Sequence, residues 1–458
     1  LAPLSRRALA PSRISYDPAD EGYCEAYGIA IDASQVEAIY LHPEAVLADP
    51  DAFLSSDPAS ARLTNLRDQY NAPLNIKRWT RQIERIADLP MDKREQQISF
   101  RLSSEVLAGK ETFCRIAVPH VLSYLPDEAK IGVTYYQAAL DPLEVGFTGR
   151  GGIVTAVSHP VYGYAERLFG QGTAAVYNNM THELFHHGYI DSSLWQVEDP
   201  VENEPLRALI RDLQDEGMAV NAGYRIREHY PSTLRYAYPL VHFQPLYRYL
   251  IGRLNKVLEG AESKTVGELY QDVARLNRGQ AIYFVSGYMA ARIEDQLGKE
   301  ALAATVKTGP RSFIRAYNSV AEKGMELHFV EPAPRAGSDY RDLRAAALEG
   351  DLARVGDILQ GIRSGETPLL DSEAEGHLVH LTGYILLRKG HLGLAEEIFR
   401  ALIAFDPQVA AGYIGLGDVC VQRGEAAAAI EHYERAMELG ARDYWMEMQL
   451  AELKGDQR

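Results

Sequence analysis

The spacing of apolar and polar positions changes character along the chain, and each change marks an element. From about residue 59 to 125 apolar residues recur at helical intervals within polar stretches, as in SARLTNLRDQY and REQQISFRLSSEVL, which predicts a run of helices. IGVTYYQ (131–137) switches to β-branched and aromatic residues and reads as a strand. The glycine-dense FTGRGGIVTAV (147–157) predicts a turn and then a second strand that begins with Gly152, Ile153 and Val154. A helix follows from about Thr173 to His187, with Gly188 placed as its stop. Residues 204–230 read as one long helix with the acidic N-terminus that the helix dipole favours, and further helices continue to about 320. Residues 1–20, rich in Pro, Ser, Arg and Ala, read as a loose arm. EPAPRAGSD (331–339), which combines Pro, Gly and charge, reads as a domain boundary.

Beyond that boundary the chain repeats itself. Gly383, Gly390, Ala395 and Phe399 recur 34 residues later as Gly417, Gly424, Ala429 and Tyr433. Pro407 closes the first unit, Ala441 takes its place in the second, and AALEGDLARVGDIL supplies a more divergent hairpin with Gly350 and Leu359 in the corresponding positions. This period and its small/aromatic alternation resemble tetratricopeptide helix hairpins, in which small residues let paired helices approach. Such arrays offer a surface to a protein partner or cap a neighbouring domain.

Composition narrows the class. At 458 residues the chain exceeds one ordinary core and divides into two or three domains. Hydrophobic content of 46% and charged content of 24% belong to a globular protein, and no apolar run is long enough to predict a membrane span. A net charge of −16 argues against nucleic acid, whose binding needs a basic face, and disfavours acidic substrates. Cys24, Cys114 and Cys420 are scattered and form neither a disulfide framework nor a zinc knuckle; one disulfide remains open, with buried thiols the expectation. The chain begins at Leu1, which fits a removed signal peptide or a trimmed terminus, and the expectation leans to an extracytoplasmic location, periplasmic or secreted.

The chemistry is concentrated in His182-Glu183-Leu184-Phe185-His186. On a helix, residues i and i+4 share a face, so both imidazoles can reach one metal ion while Glu183 lies beside them. Zinc suits two neutral imidazoles and a carboxylate, leaving a position for water. The ion lowers that water's pKa, and Glu183 is placed to take its proton. Five residues are a short pattern, and a solvated histidine pair on a surface helix is the bland alternative. Two surroundings weigh against it: the tyrosine and amides of YNNMTHELFHH, and a glycine-led strand ahead of the helix, where Gly152, Ile153 and Val154 are candidates for a substrate-pairing edge. His187 points roughly 100° away around the helix and is no ligand.

A third ligand is needed, and no histidine lies six residues beyond His186. Glu216 is the best candidate, on a helix whose Gly217 and Ala219 would permit close packing against the histidine helix. Asp212 and Asp215 are the fallbacks, and either could instead orient a histidine.

HELFH followed by a helix bearing EGMA resembles the gluzincin class of zinc metallopeptidases, and is most similar to bacterial zinc-dependent peptidase families that use HExxH and a later Glu-Gly-x-Ala. The resemblance spans roughly 100–320 and includes the segment from Tyr283 to Ile293. It implies one zinc ion on His182, His186 and Glu216, with Glu183 as general base. It departs where an aspartate commonly follows the glutamate ligand, since Val220 and Asn221 stand there.

The expected architecture is therefore α+β and mostly helical: a zincin-like domain over 21–330, with its active-site core at about 130–300, then tetratricopeptide-like repeats over 340–458. Such a peptidase needs a donor for the oxyanion of its transition state. Tyr224, His229, Tyr283, Tyr288 and His242 are candidates, each with packing as the competing role in a chain of 27 tyrosines. No Gly-x-Ser-x-Gly elbow and no phosphate-cradling GxxxxGK[ST] is present, and Gly149-Arg150-Gly151-Gly152 lacks dinucleotide spacing. The expected function is hydrolysis of a peptide or protein substrate, with a protein partner on the repeats. Two readings rival it: an interaction scaffold built on an inactive zincin fold, and a zinc hydrolase of a non-peptide amide or ester.

Overall fold

The computed structural model describes residues 22–56, 76–127, 129–139, 146–149, 152–192, 204–231, 244–259, 264–276, 281–328, 339–364, 373–441 and 444–455. The arm at 1–20 lies outside them, as does 331–339 apart from Asp339. The protein is mostly helical with one small sheet, and among the described residues no helix is long and apolar enough to cross a membrane. The chain groups into two compact units. The first takes Leu1–Tyr189, Leu213–Arg248 and Ile282–Ala304, and the second Ile190–Asp212, Tyr249–Ala281 and Thr305–Arg458.

The first unit is built around the sheet. Its strands are β1 (Ala30–Asp32), β2 (Thr134–Ala138), β3 (Gly146–Gly149) and β4 (Gly152–Ala156), in the order β1-β2-β4-β3. β1, β2 and β4 are parallel, and β3 runs antiparallel to β4. One face carries Ala138 and Val154 into a core with Val36, Ile39, Trp79 and Ile83. The other face meets the helix Gly172–Ser192, where Tyr135 Oη donates to Met180 O at 3.0 Å. Burial on both faces explains why β4 is apolar at nearly every position. β1 escaped the sequence reading because three residues are too few for an alternation to register.

The same topology corrects the expected substrate edge. Gly152, Ile153 and Val154 lie on β4, which is paired with β2 on one side and β3 on the other, so its backbone groups are already used. Among the described residues β3 is the terminal strand on that side.

Two helix boundaries also differ. The helix expected to stop at Gly188 continues to Ser192. A Cβ at Gly188 would stand 2.3 Å from Leu125 Cδ1 and 3.0 Å from Ile131 Cγ2. The glycine is there for close approach, not termination. The helix expected over 204–230 spans Glu204–Arg225 and tightens into a 3-10 turn at Ile226–Glu228.

Behind Gly172–Ser192 lies the helix Lys110–Leu122, joined to it by aromatic packing: Phe113 stacks on Tyr177 at 4.9 Å, and Tyr177 meets Tyr230 at 4.9 Å. Cys114 of that helix is disulfide-bonded to Cys24, which corrects the expectation of buried thiols; Cys420 alone is free. Spacing could not show this, because the partners are 90 residues apart.

In the second unit three helix pairs succeed one another: Asp339–Glu349 with Leu352–Ser364, Glu373–Arg388 with Leu392–Phe405, and Ala410–Arg423 with Ala426–Glu438, followed by Tyr444–Gly455. Gly390 and Gly424 turn their hairpins at φ 81° and 74°, a conformation that L side chains resist. A Cβ at Gly383 would lie 2.6 Å from the Phe399 ring, and one at Gly417 2.2 Å from the Tyr433 ring. The repeated glycine and aromatic positions thus make the same helix-to-helix contact twice.

Closing a loop of 90 residues restricts the unfolded chain strongly. Cys24→Ser with Cys114→Ser, or reduction of the wild type, is expected to lower stability by about 2–4 kcal/mol. Urea unfolding with and without reductant measures the difference.

Candidate metal centre

The site is made by two antiparallel stretches of helix, Asn178–His186 and Asp215–Gly223, both within the first unit. Glycine sets their separation. A Cβ at Gly223 would lie 3.1 Å from Asn178 O and 3.3 Å from His182 Cβ, so the backbones approach where only hydrogen fits. Gly217, expected to face the histidine helix, instead packs on the helix Ala281–Leu297: a Cβ there would stand 2.6 Å from Ser286 O. Glycine at both places admits a helix on two sides of the segment that bears Glu216.

At that separation the candidate ligands converge. His182 and His186 lie one turn apart, with ring centroids 4.6 Å and Nε2 atoms 3.0 Å from each other. Glu216 Oε2 is 3.6 Å from His182 Nε2 and 3.4 Å from His186 Nε2. One ligand atom from each of the three residues falls within 4.8 Å of the others. Their side chains are only 12–23% exposed.

The remaining ring nitrogens are accounted for. His186 Nδ1 lies 2.7 Å from Asp215 Oδ1, and His182 hydrogen-bonds to the Ala219 backbone. When His186 is neutral, with its Nδ1–H given to Asp215, its Nε2 turns a lone pair towards the shared space. Glu216 Oε2 is buried, and among the described residues the two imidazole nitrogens are the polar groups that face it. A buried carboxylate oxygen aimed at two imidazole nitrogens fits a divalent cation that takes nitrogen and oxygen ligands.

Glu183 occupies the next face of the helix, towards the sheet, and is 5% exposed. Thr148 Oγ1, on β3, donates to Glu183 Oε2 at 2.7 Å, and Asn179 Nδ2 donates to Oε1 at 3.4 Å. Burial is the main cause that pushes the Glu183 carboxyl up to about 7, with the Glu216 carboxylate adding to it. Burial and the neighbouring His186 hold His182 down at about 3. Burial opposes charge on His186 too, but Asp215 and Glu216 outweigh it and raise its pKa well above the usual value.

The polypeptide around the site fixes the glutamate helix in rotation. Tyr189 Oη donates to Gln214 Oε1 at 2.8 Å, His120 Nε2 donates to Ala222 O at 2.9 Å, and Asn221 Nδ2 donates to Glu294. His187 turns away, with Nε2 3.2 Å from Gly132 O.

The candidate oxyanion donors are distributed differently. Tyr224 and Tyr283 pack with Phe284 against Val220 and Ala291. Tyr288 is buried and stacks on Tyr247 at 4.5 Å. His229 is exposed at the end of the 3-10 turn, and His242 lies outside the described residues. Asp215, a fallback in the sequence, is the residue that orients His186. Thr148 went unnoticed, since nothing in the pattern links positions 35 residues apart. Asn179, one turn before Glu183, was open to the same i, i+4 argument as the histidines.

A protein-family model described as "Putative zinc dependent peptidase (DUF5700)" matches residues 71–325, more than half of the chain. The matched span contains His182, Glu183, His186 and Glu216. No curated protein and no solved structure matches the chain.

The raised Glu183 carboxyl gives a pH signature in metal-free protein. Its folded pKa lies above the unfolded value, so its contribution to stability is complete below pH 4.5 and lost as pH rises to about 7. Glu183→Gln mimics the neutral form throughout. Its stability relative to wild type should therefore rise between those values, reaching a gain on the order of 1–3 kcal/mol at pH 8. Urea unfolding of chelator-treated proteins from pH 5 to 8 checks it.

Proposed function

The chain belongs to the family described as putative zinc dependent peptidases, and we propose that it hydrolyses peptide bonds using one zinc ion held by His182, His186 and Glu216. The observation that carries this is the convergence of two imidazole nitrogens on a buried Glu216 oxygen. When bound, zinc polarises the scissile carbonyl and makes a water molecule acidic enough to attack at neutral pH. The chain's own residues do the rest. Glu183 takes the proton from the attacking water and delivers it to the leaving amine, a task for which its buried position beside the ligands and its hydrogen bonds from Thr148 and Asn179 suit it. Asp215 holds the His186 ring with Nε2 turned to the space it shares with Glu216, and the Ala219 backbone does the same for His182, so that these nitrogens would hold the ion. β3, which ends the sheet beside Glu183, is the strand on which an extended peptide would pair.

Within this reading, residues 21–330 form a zincin-like catalytic domain. The helix pairs of 340–458 act as tetratricopeptide-like repeats that offer a surface to a protein partner. The Cys24–Cys114 disulfide favours an oxidising, extracytoplasmic compartment. The scaffold alternative has no need for stoichiometric zinc, nor for a buried carboxylate beside the ligands.

Purified protein should contain one zinc per chain, lose peptide hydrolysis to a chelator, and regain it with zinc. Glu183→Gln should keep the zinc and lower kcat by about 10²- to 10⁴-fold. Asp215→Ala should leave the chain folded and weaken zinc affinity by about 10- to 100-fold. Metal analysis and cleavage of a mixed peptide library read these outcomes; equal cleavage by wild type and Glu183→Gln, or cleavage by neither, rejects the peptidase reading.

A further inference from the structure

A glutamate side chain has three rotatable bonds, and the helix that carries Glu183 does not by itself choose among its rotamers. For proton transfer the carboxylate must present one oxygen at one angle. Its partners therefore decide whether the base is ready.

The two partners are unequal. The Thr148 contact is 2.7 Å, the usual length of an O–H···O bond, whereas the Asn179 contact is 3.4 Å, near the limit of a hydrogen bond. Thr148 Oγ1 also lies 3.0 Å from the backbone oxygen of Glu183. One hydroxyl thus touches both the side chain and the main chain of the same residue, which fixes the carboxylate relative to its own helix. Threonine is suited to this, because β-branching limits its χ1 and keeps the hydroxyl in place. Two positions earlier on β3, Gly146 lies over the same group: a Cβ there would be 2.6 Å from Asn179 Oδ1 and 3.2 Å from Glu183 Oε1. Thr148 pairs with Ile153 and Gly146 with Thr155 in the β4 register, so both point to the face that meets the histidine helix. The last strand of the sheet rests directly on the catalytic carboxylate.

We propose that Thr148 is a positioning residue: its hydroxyl sets the orientation of the Glu183 carboxylate and couples that orientation to strand β3. This rests on Glu183 being the proton acceptor. Thr148→Val keeps the shape and removes the donor, leaving a buried carboxylate oxygen without its main partner, a state that the side chain escapes by rotating. Thr148→Ser keeps the donor.

The test compares the full-length wild type, Thr148→Val and Thr148→Ser by crystal structure, zinc content, and kcat and KM on a peptide that the wild type cleaves. In Thr148→Val, Glu183 should leave its wild-type rotamer, zinc should stay stoichiometric, and kcat should fall about 10- to 100-fold with KM unchanged. Thr148→Ser should recover the rotamer and most of the kcat. A Glu183 that keeps its rotamer in Thr148→Val overturns the inference, whatever the activity. So does a loss of kcat that Thr148→Ser shares in full, which would mark a role in packing. A wild type that cleaves no peptide, with Glu183 still rotated in Thr148→Val, sinks the peptidase reading and leaves the coupling of hydroxyl to carboxylate standing.

Discussion

Everything in the site depends on two helices lying closer than ordinary side chains allow. Gly223 brings the glutamate helix against Asn178 and His182, and Gly217 admits Ser286 of a third helix on another side. Each glycine costs a helix about 1 kcal/mol relative to alanine. The return is distance: at this separation Asp215 reaches His186, Ala219 reaches His182, and Glu216 reaches both. A methyl group at Gly223 would act on all of these at once, because they share a single helix-to-helix spacing.

Spacing alone does not aim Glu216, since a helix can turn about its own axis. The contacts on its other sides oppose that turn. Gln214 is held by Tyr189, Asn221 by Glu294, and Ala222 by His120, which burial keeps neutral by lowering its pKa to about 4. Arg225 adds an ion pair with Asp295. These groups lie within three turns of Glu216 on the same helix. Their contribution to the site is rotational, and because several are buried they act with little screening from water.

Legibility in the sequence followed from how locally each feature is encoded. His182, Glu183 and His186 are set by helix periodicity and could be read directly. Glu216 needed the chemistry of a missing ligand and a nearby glycine, and that glycine, Gly217, meets Ser286 instead of the histidine helix. The mostly helical character and the glycine/aromatic recurrence were legible because their periods are short. The position of β4 between β2 and β3 was not, because a strand's neighbours depend on the topology of the whole sheet, and β1 lies about a hundred residues before its partner. Thr148 and the Cys24–Cys114 bond were hidden for the same reason. Gly188 shows the ambiguity at its sharpest: a helix-ending glycine and a close-packing glycine are the same letter, and Leu125 decides between them.

The charges of the site form one balanced set. Glu183, Asp215 and Glu216 surround two imidazoles in a nearly dry space, where three bare carboxylates would repel strongly. The chain reduces the repulsion in three ways: Asp215 and Glu216 share a positive His186, Glu183 holds its proton up to about pH 7, and Thr148 and Asn179 donate to it. Any cation that enters between Glu216 and the imidazoles must displace the His186 proton from the shared space, so its binding strengthens as protons become scarce. The same cation withdraws the Glu216 charge that helped raise the Glu183 carboxyl. The proposed ligands and the proposed proton acceptor are therefore linked electrostatically as well as by position. The charge that fills one alters how readily the other gives up its proton.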